Sequence, residues 1–152
     1  EDVVVLDGDV LYPQPEFCKY VKNSKSTSFA LIPSDIDNTE STKTLIRRDG
    51  KIGVFVTKRD LTIEEKNNFI FGGEAIGFFK LSSENCEKFI KHYENFESKY
   101  LELLWEIPFT DFAKSVDLSV WSITEGPACF EIDTQDDYEQ ALLTFQKYRE
   151  KF

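Results

Sequence analysis

The sequence has no methionine, a single histidine (His92) and only three cysteines, Cys18, Cys86 and Cys129, in 152 residues. The cysteines are odd in number and far apart, with no CxxC and no Cys/His ligand spacing, which excludes a disulfide framework and a zinc site. A reducing cytoplasm suits them. No apolar run approaches the roughly 20 residues that a membrane helix needs, and no basic start followed by an apolar stretch marks a signal peptide. Basic charge is scarce as well. With 18 Lys and Arg against 28 Asp and Glu, the formal charge is −10. That argues against a nucleic-acid backbone or an anionic membrane as partner, since both need basic surface. A free nucleotide carrying a bound cation is compatible with it. Repeats and low-complexity tracts are also missing.

What is present suffices for one globular domain over residues 1–152: a 41% hydrophobic content with 14% aromatics can bury a core. The chain opens on Val3-Val4-Val5-Leu6, preceded only by Glu1 and Asp2. So continuous an apolar run predicts a central parallel strand covered on both faces, which normally follows the elements that cover it. The opening therefore predicts a fragment, or else a domain trimmed for expression or cut by a protease.

After that strand come Asp7-Gly8-Asp9 and a helix following Pro13 and Pro15, with Phe17, Tyr20 and Val21 as its apolar positions. Ser28 to Ile32 predicts the next strand and Pro33 to Ser41 an exposed loop. Thr42 to Arg47 and Lys51 to Val56 flank Asp49-Gly50, which predicts a hairpin closed by a type I′ turn. Lys58 to Asn68 is a loop or short helix, and Phe69 to Leu81, with Gly72, Gly73 and Gly77 inside it, a strand entered through a glycine pair. Ser82 or Ser83 caps a helix whose Cys86, Phe89, Ile90 and Tyr93 recur at helical spacing, with His92 at its surface. Tyr100 to Ala113 is a second helical stretch, interrupted or kinked at Pro108. Leu118 to Ile123 and Cys129 to Ile132 are short strands. A last amphipathic helix places Tyr138, Ala141, Leu142, Phe145 and Tyr148 on one face. Strands alternating with helices give an α/β fold, a Rossmann-like mixed sheet flanked by helices with an inserted hairpin.

Chemistry is expected at the two strand ends that carry acids, because ligands in open α/β sheets bind outside the carboxyl ends of strands. Asp7-Gly8-Asp9 follows one, and Glu131-Ile132-Asp133 finishes another. If the two strands are parallel neighbours, Asp9 and Asp133 can converge on one cation, the oxygen-donor arrangement Mg²⁺ prefers when it also holds phosphates. Taken alone, a DxD in so acidic a chain reads equally as solvated turn aspartates.

Four segments in order resemble the second half of nucleotidyltransferase domains: Val3 to Leu11, then Asp49-Gly50-Lys51-Ile52, then Gly73 to Ser82, then Phe130 to Tyr138. The resemblance is to phosphocholine and 2-aminoethylphosphonate cytidylyltransferases and, more broadly, to sugar-phosphate nucleotidyltransferases, and it covers essentially the whole chain. It implies the second half of a nucleotide-diphospho-sugar transferase-like domain. It implies Asp9 and Asp133 as joint Mg²⁺ ligands, with Asp7, Glu74, Glu102, Trp105 and Glu131 on the substrate side. In this resemblance Glu102 and Trp105 face a cationic head group, as an acid and an aromatic face for an ammonium would. Glu74 contacts the acceptor, and Lys58 matches a lysine after the hairpin. The implied partners are a nucleoside triphosphate, a small phosphate or phosphonate, and a missing N-terminal half of the same enzyme. The glycine-rich, Arg- and Lys-containing triphosphate loop of these enzymes is absent from the sequence, so the chain alone is expected to turn over little or nothing.

Three other readings fit parts of the sequence. Asp35-Ile36-Asp37-Asn38-Thr39 matches the DxDxT of haloacid dehalogenase-type phosphatases, with Asp136-Asp137 as a late acidic pair, although Pro33 and Ser34 separate it from the preceding strand. A metal-dependent glycosyltransferase would use Asp7-Gly8-Asp9 to hold a nucleotide-sugar diphosphate. A non-catalytic acidic interaction domain would account for the charge.

Overall fold

The computed structural model describes residues 1–24, 26–96, 102–123 and 129–151. Its centre is a six-stranded sheet built around one long strand. In chain order the elements are β1 (Val3–Leu6), β2 (Val10–Leu11), α1 (Gln14–Asn23), β3 (Ser28–Ile32), β4 (Thr42–Ile46), β5 (Ile52–Thr57) and α2 (Ile63–Asn68). They are followed by β6 (Ile70–Leu81), α3 (Ser83–Glu94), α4 (Glu106–Phe112), β7 (Ser119–Ser122), β8 (Phe130–Glu131) and α5 (Gln135–Lys147).

The sheet runs β5-β4-β6-β3-β7, and β1 also pairs with β6. Because β3 occupies one edge of β6, β4 and β1 must share the other: β4 takes Ile70 to Glu74 and β1 takes Phe78 to Leu81, both antiparallel. Between them, opposite Ala75 and Ile76, neither strand pairs with this edge. The β3–β7 pair is parallel, so the sheet is mixed as the alternation of elements implied.

Two aromatic-rich cores lie on the two faces of this sheet. Phe29, Phe55 and Phe79 meet Phe109 and Phe112 of α4, with Phe89 of α3 packed against them. On the opposite face Ala30, Ile76 and Phe78 meet Tyr20 of α1 and Ile123. Alternation along β6 sends Phe79 to one core and Phe78 to the other. Each buried Phe contributes about 2–3 kcal/mol.

Local chemistry sets the ends of the helices. Ser82 caps α3 by accepting from the Asn85 amide, and capping boxes open α2 (Thr62, Glu65) and α5 (Thr134, Asp137). Pro108 sits in the first turn of α4, where its missing N–H has no helical partner to lose, so it starts a helix and kinks none. The part of the expected helix at Tyr100 and Leu101 lies outside the described residues, and Glu102 to Leu104 precede α4 as turn and coil.

Four expectations need correction. β1 is not a central parallel strand covered on both faces: it is antiparallel to β6, and Val3 and Leu6 are exposed. The hairpin forms, but not on a type I′ turn: Gly50 has φ 83 while Asp49 keeps a negative φ. The chain turns over Arg47 to Gly50, with the glycine alone in the left-handed region. The apolar face of α5 is largely uncovered, with Ala141 buried but Tyr138, Leu142 and Phe145 exposed. His92 is half-buried rather than superficial, with its ring among Phe89, Phe96 and Phe112.

Candidate functional site

The turn after β1 and the segment after β8 form one hydrogen-bonded unit. β2 pairs antiparallel with β8, matching Val10 to Glu131, and the Ile132 amide donates to the Asp9 carbonyl at 2.8 Å. Asp9 and Asp133 thus come together through an antiparallel ribbon, not through the parallel neighbours that their positions after strands suggested. Both are exposed. Asp133 is held from behind: Asp137 accepts from its amide at 3.2 Å and from the Thr134 amide at 2.9 Å while capping α5.

Glu131, one residue into that ribbon, and Glu74, in β6, are half-buried and reach the same place. With Asp133, Asp137, Glu40 and Asn38 they line an open cavity of about 320 Å³. The concentration of acids is visible in their protonation. Burial, then the carboxylates of Asp133, Glu74, Asp9 and Asp7, push Glu131 up to about 7. Burial also raises Glu74, against the lowering pull of a Ser34 hydrogen bond and the Lys43 ammonium. Lys43 is fully buried, and its Nζ donates to the carbonyls of Asn38 and Arg59, tying the Pro33–Ser41 loop to the chain after β5.

Asp7 closes β1. Its amide donates to the Gly77 carbonyl at 3.0 Å, and its side chain lies over Gly77, where an added Cβ would meet Oδ2 at 1.7 Å. Gly77 has φ 60, so the close approach and the backbone both require glycine. Burial, then the Asp9 and Glu106 carboxylates, raise the Asp7 pKa.

Of the residues named from the sequence, Glu74, Glu131 and Asp133 line one cavity, and Asp7 and Asp9 lie within electrostatic reach of it. Glu102 is exposed in the turn before α4 and does not line it. Trp105 is half-buried among Phe29, Phe55, Phe79 and Phe109 and lines a separate apolar cavity of about 330 Å³ with Val5, Phe79 and Tyr93. Lys58, exposed and at φ 49, is the non-glycine residue with positive φ among the described residues.

Glu106 and Lys43, not named from the sequence, are buried charged residues. Glu106 is buried, with Oε1 accepting from the Thr42 hydroxyl at 2.9 Å and no partner for Oε2 among the described residues. Its signal was its spacing: it shares a helix face with Phe109 and Ala113, three and seven residues on, and both are buried. The phosphatase pattern dissolves. Asp35 is exposed in a loop, its carboxylate accepting from the Asp37 amide, and Asp137 is a helix cap.

Carboxylate oxygens are the donors a hard cation takes. Among the described residues no three His, Cys, Asp or Glu side chains converge tightly enough to hold a metal by themselves. Two carboxylates still fit Mg²⁺, which keeps several waters and completes its shell with substrate phosphates. Among the described residues no helix is long and apolar enough to cross a membrane.

No known family profile and no curated protein matches the sequence. Solved structures do match. CTP:phosphocholine cytidylyltransferase LicC from Streptococcus pneumoniae is 17% identical, with a TM-score of 0.60 over 92% of this chain and 56% of that one. HddC from Yersinia pseudotuberculosis, complexed with GMP-PN, is 18% identical, with a TM-score of 0.59 over 95% and 55%. UDP-glucose pyrophosphorylase from Acinetobacter baumannii is 12% identical, with a TM-score of 0.65 over 99% and 53%. Asp9, Asp133 and the acids around them therefore sit on a fold shared with nucleotidyltransferases, and the chain spans about half the length of the solved structures it matches.

Proposed function

We propose that this chain supplies the metal-binding and acceptor-binding part of a Mg²⁺-dependent nucleotidyltransferase in the cytoplasm, with a cytidylyl group as the one transferred. The observation that carries the reading is that Glu74, Glu131 and Asp133, from separate segments, line one open cavity with Asp7 and Asp9 within electrostatic reach of it. So many carboxylates favour a triphosphate that arrives with a cation between it and the acids.

In the reaction, an oxygen of a phosphate or phosphonate acceptor attacks the α-phosphorus of a nucleoside triphosphate in line. The new O–P bond forms as the bond to the β-phosphate oxygen breaks, and pyrophosphate leaves. The attacking oxygen is already anionic near neutral pH, so no protein nucleophile is needed, and the work of the chain is positioning. Asp9 and Asp133 would hold Mg²⁺, with Asp137 fixing the backbone of Asp133 behind it. When bound, the ion offsets charge on the phosphate oxygens. Glu131 and Glu74 belong to the substrate side, with Glu74 contacting the acceptor. Asp7, Glu102 and Trp105 belong to the acceptor side.

The triphosphate-gripping loop and the remaining half of the domain would come from an N-terminal part of the same enzyme, so activity belongs to the full-length protein. The test is pyrophosphate release from each of the four nucleoside triphosphates with Mg²⁺, against phosphocholine, 2-aminoethylphosphonate and sugar 1-phosphates. Release needing one nucleotide and one acceptor together supports the reading. Its absence with every pair refutes it.

A further inference from the structure

The two faces of the sheet carry cavities of opposite character. The acid-lined cavity is walled by Ile32 and Ile76, which belong to the core under α1. α3 and α4 cover the other core, around Phe29 and Phe79. Where the last two turns of α3 meet the end of α4, a cavity of about 330 Å³ is lined by Lys88, Lys91, His92, Phe112, Ser115 and Val116. Lys88, Lys91 and His92 stand at i, i+3 and i+4, so helical spacing sets all three on one face of α3. Across from them Phe112 is buried and Val116 half-buried, and the His92 ring lies 5.6 Å from that of Phe112. One wall is cationic and the other apolar.

Every titratable side chain in this lining is basic, in a chain with 28 acidic and 18 basic residues. Cations near a helix end ordinarily complement its carbonyls. Here those carbonyls have other partners. The Phe112 carbonyl accepts from the Ser115 and Val116 amides at 3.0 and 3.1 Å and from the Ser115 hydroxyl at 3.0 Å, and the Ala113 carbonyl accepts from Arg47. At the end of α3, the Lys91 carbonyl accepts from the Asn95 amide and the Tyr93 carbonyl from the Phe96 amide. Lys88 is paired with Glu84 at 2.6 Å. The exposed ammonium of Lys91 has no ion-pair or hydrogen-bond partner among the described residues. One such ammonium beside an apolar wall suits a ligand with one negative charge and an apolar body, whereas a phosphate dianion calls for more donors than one. The volume has room for a fused ring or a short chain.

We propose that the cavity between α3 and the end of α4 is a binding site for a small amphipathic carboxylate. The carboxylate oxygens accept hydrogen bonds from Lys91 Nζ, and the ring or chain lies against Phe112 and Val116. The site is separate from the acid-lined cavity and does not rest on the nucleotidyl-transfer reading.

Amide chemical shifts of the full-length protein are followed during titration with three probes: naphthoate, its neutral counterpart naphthylmethanol, and inorganic phosphate. Naphthoate should shift the amides from Lys88 to His92 and from Phe112 to Val116, and bind at least about tenfold more tightly than naphthylmethanol. Phosphate, with no apolar body, should leave those amides in place. Lys91→Gln should erase the preference for the carboxylate at an unchanged melting temperature, and Lys91→Arg should keep it. Ser115→Trp, at an exposed position on the rim, should weaken naphthoate about tenfold or more by filling the cavity. A Lys91 that only complements the end of α3 would instead lower the melting temperature when changed to Gln and leave naphthoate affinity alone. Equal binding of naphthoate and naphthylmethanol overturns the proposal. So does an unchanged naphthoate affinity in Lys91→Gln or Ser115→Trp, a set of shifts centred on the acid-lined cavity, or no binding at millimolar naphthoate.

Discussion

The Ile132 amide donates to the Asp9 carbonyl at 2.8 Å, locking the turn after β1 to the residue before Asp133. Both aspartate side chains are exposed. The fold thus fixes the backbone at both aspartates.

Asp9→Ala and Asp133→Ala should each abolish nucleotidyl transfer by about 100-fold or more while shifting stability by no more than about 0.5 kcal/mol. Steady-state kinetics and thermal melts of the same preparations check this. Unchanged turnover in either variant would remove that residue from the metal site.

Glu131 sets a pH dependence. Its pKa is raised in the folded state to about 7, above the usual carboxylate value, so the folded protein holds a proton there that the unfolded chain has released. The sign follows: this contribution is fully present below the unfolded value and is lost as pH rises through about 7. Glu131→Gln should therefore melt higher than the wild type at pH 8 and nearly equal to it at pH 4. Equal differences at both pH values would contradict the raised pKa.

Gly77 admits no side chain. Gly77→Ala would place a Cβ 1.7 Å from Asp7 Oδ2 on a backbone at φ 60. The left-handed backbone alone costs about 1–2 kcal/mol, and Asp7 must move besides. Chemical denaturation should register the loss, and acceptor affinity should fall with it. A variant of wild-type stability and affinity would mean that Asp7 does not need its place over Gly77.

Lys43 joins two loops through its ammonium. Lys43→Met leaves the Asn38 and Arg59 carbonyls without that donor and should cost about 1–3 kcal/mol. Hydrogen exchange should rise in the loop from Pro33 to Ser41, which forms a wall of the acid-lined cavity, more than in α1 or α3. Uniform exchange across the molecule would assign Lys43 to general stability instead.

Much of the fold was legible because its signals are local. Asp49-Gly50 between apolar runs marked the hairpin, Ser82 ahead of Cys86 and Phe89 marked α3, and the glycine-rich run to Leu81 marked the long strand. Pairing direction was not legible. The apolar run Val3 to Leu6 looks the same whether parallel and central or antiparallel at an edge, and only its register with Phe78 to Leu81 decides. The two-residue strand β2, which follows Asp9 and pairs with β8, is too short to show any period. Glu106 was hidden for a different reason. In an acidic chain one more acid reads as solvated, and its hydrogen-bond partner, Thr42, is distant in sequence.

The most direct test of the account is pyrophosphate release by the full-length protein, with and without Mg²⁺, across the nucleotide and acceptor panel. The account predicts release that requires one nucleotide, one phosphate- or phosphonate-bearing acceptor and the metal together, and that disappears in Asp9→Ala and Asp133→Ala. No release with any pair, or phosphate liberated from a simple ester instead, would contradict it.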